Sequence, residues 1–73
     1  MRFKVLDTVV LVHDVPEHGL RAGDLGAVVE VYADEALEVE FVRPSGSTKA
    51  LVTLKGADVR PVTKTDVLSV RAS

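Results

Sequence analysis

The sequence predicts an all-β fold. Three observations carry this. The apolar pattern repeats every two residues rather than every 3.6. Five short, largely β-branched runs follow one another along the chain. The links between them hold Pro, Gly, Asp and Ser, the residues of turns.

The runs can be taken in order. Thr8 to His13 reads TVVLVH, a continuous run suited to a strand covered on both sides. Pro16 to Gly26 follows as a long loop with glycines at 19, 23 and 26. Ala27 to Tyr32 reads AVVEVY, and Ala33 to Ala36, ADEA, is a tight hairpin link. Leu37 to Val42 reads LEVEFV, the cleanest alternation: Leu37, Val39 and Phe41 share one face, Glu38 and Glu40 the other. Arg43 to Ser47, RPSGS, is a Pro/Gly turn. Thr48 to Leu54 reads TKALVTL, with Ala50, Val52 and Leu54 on one face. Lys55 to Asp58, KGAD, suits a single 3₁₀ turn. Val59 to Val62, VRPV, is a short last strand whose Pro61 fits an edge.

The first hairpin has a register that can be argued. Val29 and Val31 are expected on the core face with Leu37, Val39 and Phe41. Facing residues then have an even position sum, so the link is odd. Three linking residues pair Val31 with Val39 and Glu30 with Glu40; five pair Val31 with Leu37 and Glu30 with Glu38. Both choices set two glutamates face to face, at a cost of up to about 1 kcal/mol unless a cation intervenes. An acidic stripe of Glu30, Glu38 and Glu40 is expected on the outer face.

Together these elements describe a small five-stranded SH3-like half-open barrel over residues 1–62, with a short 3₁₀ turn before the last strand. The runner-up, an OB-fold, usually carries a helix between its third and fourth strands. The five-residue link Arg43 to Ser47 cannot hold one. Residues 63–73, TKTDVLSVRAS, form a tail beyond the barrel, read as frayed, as a short helix or as an added edge segment.

Bulk composition narrows the function classes. With 73 residues the chain is one small domain of modest stability. It has no cysteine, which removes disulfides and Cys-ligated zinc. Nine Lys and Arg stand against eleven Asp and Glu, a net charge of −2. A nucleic-acid binder usually carries a basic excess, so this balance argues against one. The longest apolar run, Val9 to Val12, falls far short of the roughly 20 residues of a spanning helix. A cytoplasmic protein with no membrane partner is the expectation.

The stretches Leu6-Asp7-Thr8-Val9-Val10, Pro16-Glu17, Gly19-Leu20, Gly23-Asp24-Leu25-Gly26, Val28-Val29, Glu38-Val39-Glu40-Phe41, Leu54 and Arg60-Pro61-Val62 resemble a family of small bacterial proteins with an SH3-like barrel, known only as a domain of unknown function. The likeness covers Phe3 to about Val62. It implies the barrel but no chemistry, and its association with toxin–antitoxin or immunity neighbourhoods implies a binding role. Members often carry glycine where this sequence has Glu35. Gly23 to Val28 is also similar to the KOW element of ribosomal and elongation proteins, whose loops are usually more basic.

The candidate sites are few. Gly19, Gly23 and Gly26 precede a β-branched run rather than a helix, so they make no phosphate loop. They read as a bend, with Gly23 and Gly26 supplying positive φ or close backbone approach. Asp24 is expected to bond nearby amides. Arg21 is placed to meet a carboxylate or phosphate of a partner, or to pair with Asp24 or Glu17. His13 and His18, with Asp14 and Glu17 near, match no zinc spacing and read as solvated histidines. No serine has a base beside it. The reading is a non-catalytic protein-binding module, immunity- or antitoxin-like or a small regulatory partner. Its candidate contact residues are Glu17, Arg21, Asp24, Glu30, Glu38 and Glu40. No cofactor and no metal are expected, and self-association is a separate expectation from the small core and apolar tail. The alternatives are a KOW-like RNA contact through Arg21, Arg43, Lys49 and Lys55, and an accessory domain of an enzyme complex.

Overall fold

The structure, a computed structural model, describes residues 3–42 and 49–63. Five antiparallel strands form one sheet: β1 (Thr8–Leu11), β2 (Leu25–Val31), β3 (Ala36–Val42), β4 (Lys49–Lys55) and β5 (Val59–Pro61). Their order across the sheet is β4-β3-β2-β1-β5. The sheet is not closed into a barrel, so β4 and β5 are its edges. Among the described residues the helical turns are 3₁₀ only, at Pro16–His18, Ala33–Glu35 and Gly56–Asp58. The last of these precedes β5, as the KGAD stretch predicts. None is long enough to cross a membrane.

The period-two pattern builds the core directly. Across β3 and β4, Leu37 faces Leu54, Val39 faces Val52 and Phe41 faces Ala50. The larger of these join Phe3, Val9, Leu11, Val15, Leu20, Val28 and Val59 in one apolar cluster, with Val31 and Ala50 packed against it. Each fully buried side chain of this size stabilises the fold by about 1.5–3 kcal/mol. The continuous run of β1 is buried on both faces: Val9, Val10 and Leu11 are all covered. Pro61 lies on the edge strand β5, where its missing N–H costs no ladder bond.

Two boundaries differ from the sequence pattern by more than one residue. β1 stops at Leu11 rather than His13. Val12 gives its N–H to the carbonyl of Asp58 at 2.9 Å, and the chain then turns away. β2 begins at Leu25, so Gly26 stands inside a strand, between Val9 of β1 and Phe41 of β3, and not in a bend. The long loop is correspondingly shorter and contains the 3₁₀ turn Pro16–His18. The RPSGS turn and tail residues 64–73 lie outside the described residues.

The β2–β3 register takes the five-residue choice near the turn, with Val31 opposite Leu37 and Glu30 opposite Glu38. It does not continue. A bulge between Val28 and Glu30 shifts the pairing, so Val28 meets Val39 and Gly26 meets Phe41. Val28 is therefore fully buried, while Val29, expected inside, is 38% exposed. The physical reason is parity. One extra residue lets both Val31 and Val28 face the core, and Val29 is the residue left over. At the hairpin tip Asp34 and Glu35 both take left-handed backbone, φ 65° and 60°. Glu35 thus occupies a conformation that glycine adopts at no steric cost.

Candidate functional site

The loop between β1 and β2 is held by carboxylates that accept backbone N–H groups. Asp24 Oδ2 accepts from Arg21 at 2.9 Å, and the Asp24 N–H returns a bond to the Arg21 carbonyl at 3.0 Å. Asp14 Oδ1 accepts from Ala22 at 2.8 Å. The same three-residue reach recurs at Asp7 on Lys4 and at Asp58 on Lys55. Each side chain pairs an amide that the turn leaves without a strand partner. Gly23 adopts φ 97°, and Gly19 closes the 3₁₀ turn at φ 68°. Asp24 is thereby committed to the loop's own backbone. Glu17 and Arg21 are exposed, and among the described residues no ion pair joins the Arg21 guanidinium to Glu17 or Asp24.

His13 is exposed at the surface, as expected, but both of its ring nitrogens have partners. Its Nε2 lies 2.7 Å from Oδ1 of Asp58, and its Nδ1 lies 3.0 Å from the carbonyl oxygen of Asp14. Both neighbours are acceptors, so both bonds form only when both ring nitrogens carry a proton. The Asp58 hydrogen bond, then the Asp14 carbonyl, raise the His13 pKa above 6.5. For Asp58, partial burial pushes the carboxyl up, but the His13 and Lys55 hydrogen bonds outweigh it and leave the pKa below 3.8.

Linkage gives the pH window. The raised His13 value makes its stabilisation complete below pH 6.5 and lost as pH climbs through the folded value. The lowered Asp58 value makes its share complete above pH 3.8 and lost as pH falls through the folded value. The pair therefore contributes most between pH 3.8 and 6.5. His13 is half exposed, so the contribution is small. NMR titration of the imidazole is expected to place its midpoint above 6.5, and Asp58→Asn is expected to lower it. An unchanged midpoint in D58N refutes the pairing.

The second group of candidate residues lies on the outer face of the sheet. Glu30 and Glu38 stand directly opposite one another, and Glu40 follows on the same face of β3. Glu38 Oε1 accepts the Thr53 hydroxyl at 2.9 Å. Beside them, Tyr32 has its phenol pKa raised by loss of surrounding water, then by the charges of Glu38 and Glu30. Among the described residues no ion pair reaches Glu30 or Glu38. Asp24 immediately precedes β2 and Glu30 lies next to its far end, about 20 Å away at ~3.3 Å per residue. The structure thus separates the six candidates into a loop group (Glu17, Arg21, Asp24) and a sheet group (Glu30, Glu38, Glu40).

Around Glu40 the outer face is largely apolar. Thr8, Ala27, Glu40 and Leu51 form one row across four strands. Thr8, Leu25, Gly26, Ala27, Glu40 and Val42 line a shallow depression of about 190 Å³. Val42 and Leu51 are 48% and 57% exposed. Sequence reasoning found the acids of this face and missed its apolar half. Val42 ends the alternation of LEVEFV on the polar side, and that was the available signal. His13–Asp58 had none, since 45 residues separate the partners. Among the described residues no three His, Asp or Glu side chains are grouped to hold a metal ion. Arg43 lies outside the described residues, so the basic set proposed for RNA is placed only in part.

The chain belongs to the family described as Domain of unknown function (DUF4926), which matches residues 5–61. That span runs from just before β1 through the last residue of β5. No curated protein and no solved structure matches the chain.

Proposed function

We propose that the protein is a non-catalytic protein-binding module whose contact surface is the outer face of the sheet. One observation carries the reading. A sheet that covers its core with one face normally presents polar side chains on the other. Here Leu25, Ala27, Val42 and Leu51 surround Glu40 on that face, with Glu30 and Glu38 alongside. An apolar patch rimmed by charge is the composition of a protein interface. The partner it fits carries an apolar anchor for the depression and basic groups for the glutamates. On this reading the chain itself is the immunity- or antitoxin-like protein, or the small regulatory subunit, of that partner.

The test is affinity capture from the native host on the immobilised wild-type chain, beside Val42→Lys and Glu38→Lys. Both substitutions lie on exposed or half-exposed positions and leave the core intact. The expected result is a protein retained by the wild type, with affinity reduced about tenfold or more by Val42→Lys. Retention unchanged by both variants, or retention of RNA in a salt-sensitive manner, overturns the reading.

A further inference from the structure

The two edges of the sheet are unequal. β5 is three residues long and contains Pro61, two devices that keep an edge from pairing with another chain. β4 has neither. It runs seven residues, KALVTLK, with no Pro or Gly, and its register on β3 is unbroken over seven pairs. Its charges stand only at its ends. Leu51, near its middle, is 57% exposed. Among the described residues β4 is paired on one side only. A long, regular, apolar edge of this kind is a template for a further strand.

We propose that β4 pairs antiparallel with β4 of a second copy of this chain, about a two-fold axis through Leu51. The occupant follows from register. A symmetric pairing that keeps core-facing residues on the core side has its axis through a residue. An axis through Val52 sets Lys49 opposite Lys55 at both ends, a like-charge contact made twice. An axis through Leu51 sets Leu51 opposite Leu51, Ala50 opposite Val52 and Lys49 opposite Thr53. No like charges meet. It also brings Lys49 of the second copy into the cross-strand row of Thr53, Glu38 and Glu30. That row holds the two facing glutamates, which have no ion pair among the described residues. An axis through Thr53 leaves the row without a cation and places Lys55 opposite Leu51. The Leu51 axis is the register that covers the exposed leucine and supplies the missing charge together. The resulting sheet continues through both copies. This interface shares Leu51, Glu30 and Glu38 with the outer face proposed above, but its edge-to-edge pairing does not require that face to bind another protein.

The experiment uses the full chain. Light scattering over a concentration series is expected to show a dimer that dissociates on dilution. Leu51→Lys is expected to raise the dissociation constant at least tenfold, with an unchanged circular dichroism spectrum. Val42→Lys, on β3, is expected to leave the dimer in place, which separates this result from the outer-face test. The register has its own probe, because the chain has no cysteine. Leu51→Cys is expected to form an intermolecular disulfide on mild oxidation, since it meets itself on the axis. Thr53→Cys is expected to do so only when mixed with Lys49→Cys. A monomer at every concentration, or a dimer untouched by Leu51→Lys, overturns the interface. Thr53→Cys cross-linking alone as fast as Leu51→Cys overturns the register.

Discussion

Phe41→Ala is expected to lower the unfolding free energy by about 3–5 kcal/mol, the usual cost of truncating a buried aromatic residue. A domain of this size has a total stability of only about 5–10 kcal/mol. The substitution should therefore leave it close to unfolded at 37 °C. The local geometry places the cost at the upper end. Phe41 is 3% exposed in the middle of the cluster. Its cross-strand neighbours are small, Gly26 on β2 and Ala50 on β4. Neither can move a side chain into the space the ring leaves, so the cavity stays open. Urea unfolding followed by circular dichroism checks this, with Val42→Ala as the neighbouring control. Val42 is half exposed on the opposite face and is expected to change stability by less than about 0.5 kcal/mol. A loss below 1 kcal/mol for Phe41→Ala would mean that the ring is not the centre of the core.

That centre was legible from six letters. LEVEFV assigns Leu37, Val39 and Phe41 to one face by alternation alone, and the alternation of TKALVTL supplies their partners. The 3₁₀ turn before β5 and the edge position of Pro61 were legible for equally local reasons. The bulge was not. Val28 and Val29 are identical in size, branching and hydrophobicity, so no local signal says which one faces inward. The choice is made by contacts distant in sequence, chiefly the need for Gly26 to lie under Phe41. The same limit governed the site. The acids of the outer face follow from strand parity. The apolar residues beside them depend on which strands neighbour β2, and the His13–Asp58 pair depends on a turn folded from the far end of the chain. The loop aspartates were half legible. Their turn role is a property of the residue type, but that it consumes the Asp24 carboxylate shows only in three dimensions.

The glycines offer the sharpest separation of causes. Gly26→Ala is expected to cost about 1–3 kcal/mol, the range for overfilling a packed core. A Cβ on Gly26 would stand 2.7 Å from Val39 Cγ1 and 2.8 Å from Phe41 Cε1. Both atoms belong to buried side chains that cannot swing into solvent. Gly23→Ala fails for a different reason. A Cβ there meets nothing within 4 Å, but the backbone holds φ at +97°. That strain costs about 1–2 kcal/mol whatever surrounds it. The two mechanisms part in a double-mutant cycle with Phe41→Leu. A smaller side chain at position 41 relieves the crowding over β2, so Gly26→Ala is expected to cost at least about 0.5 kcal/mol less in that background. Gly23→Ala is expected to cost the same in both. Equal costs for Gly26→Ala with and without Phe41→Leu would place its penalty on Val39 or in the strand backbone rather than beneath the ring. The packing that assigns Val28 to the core and Val29 to the bulge would then need another cause.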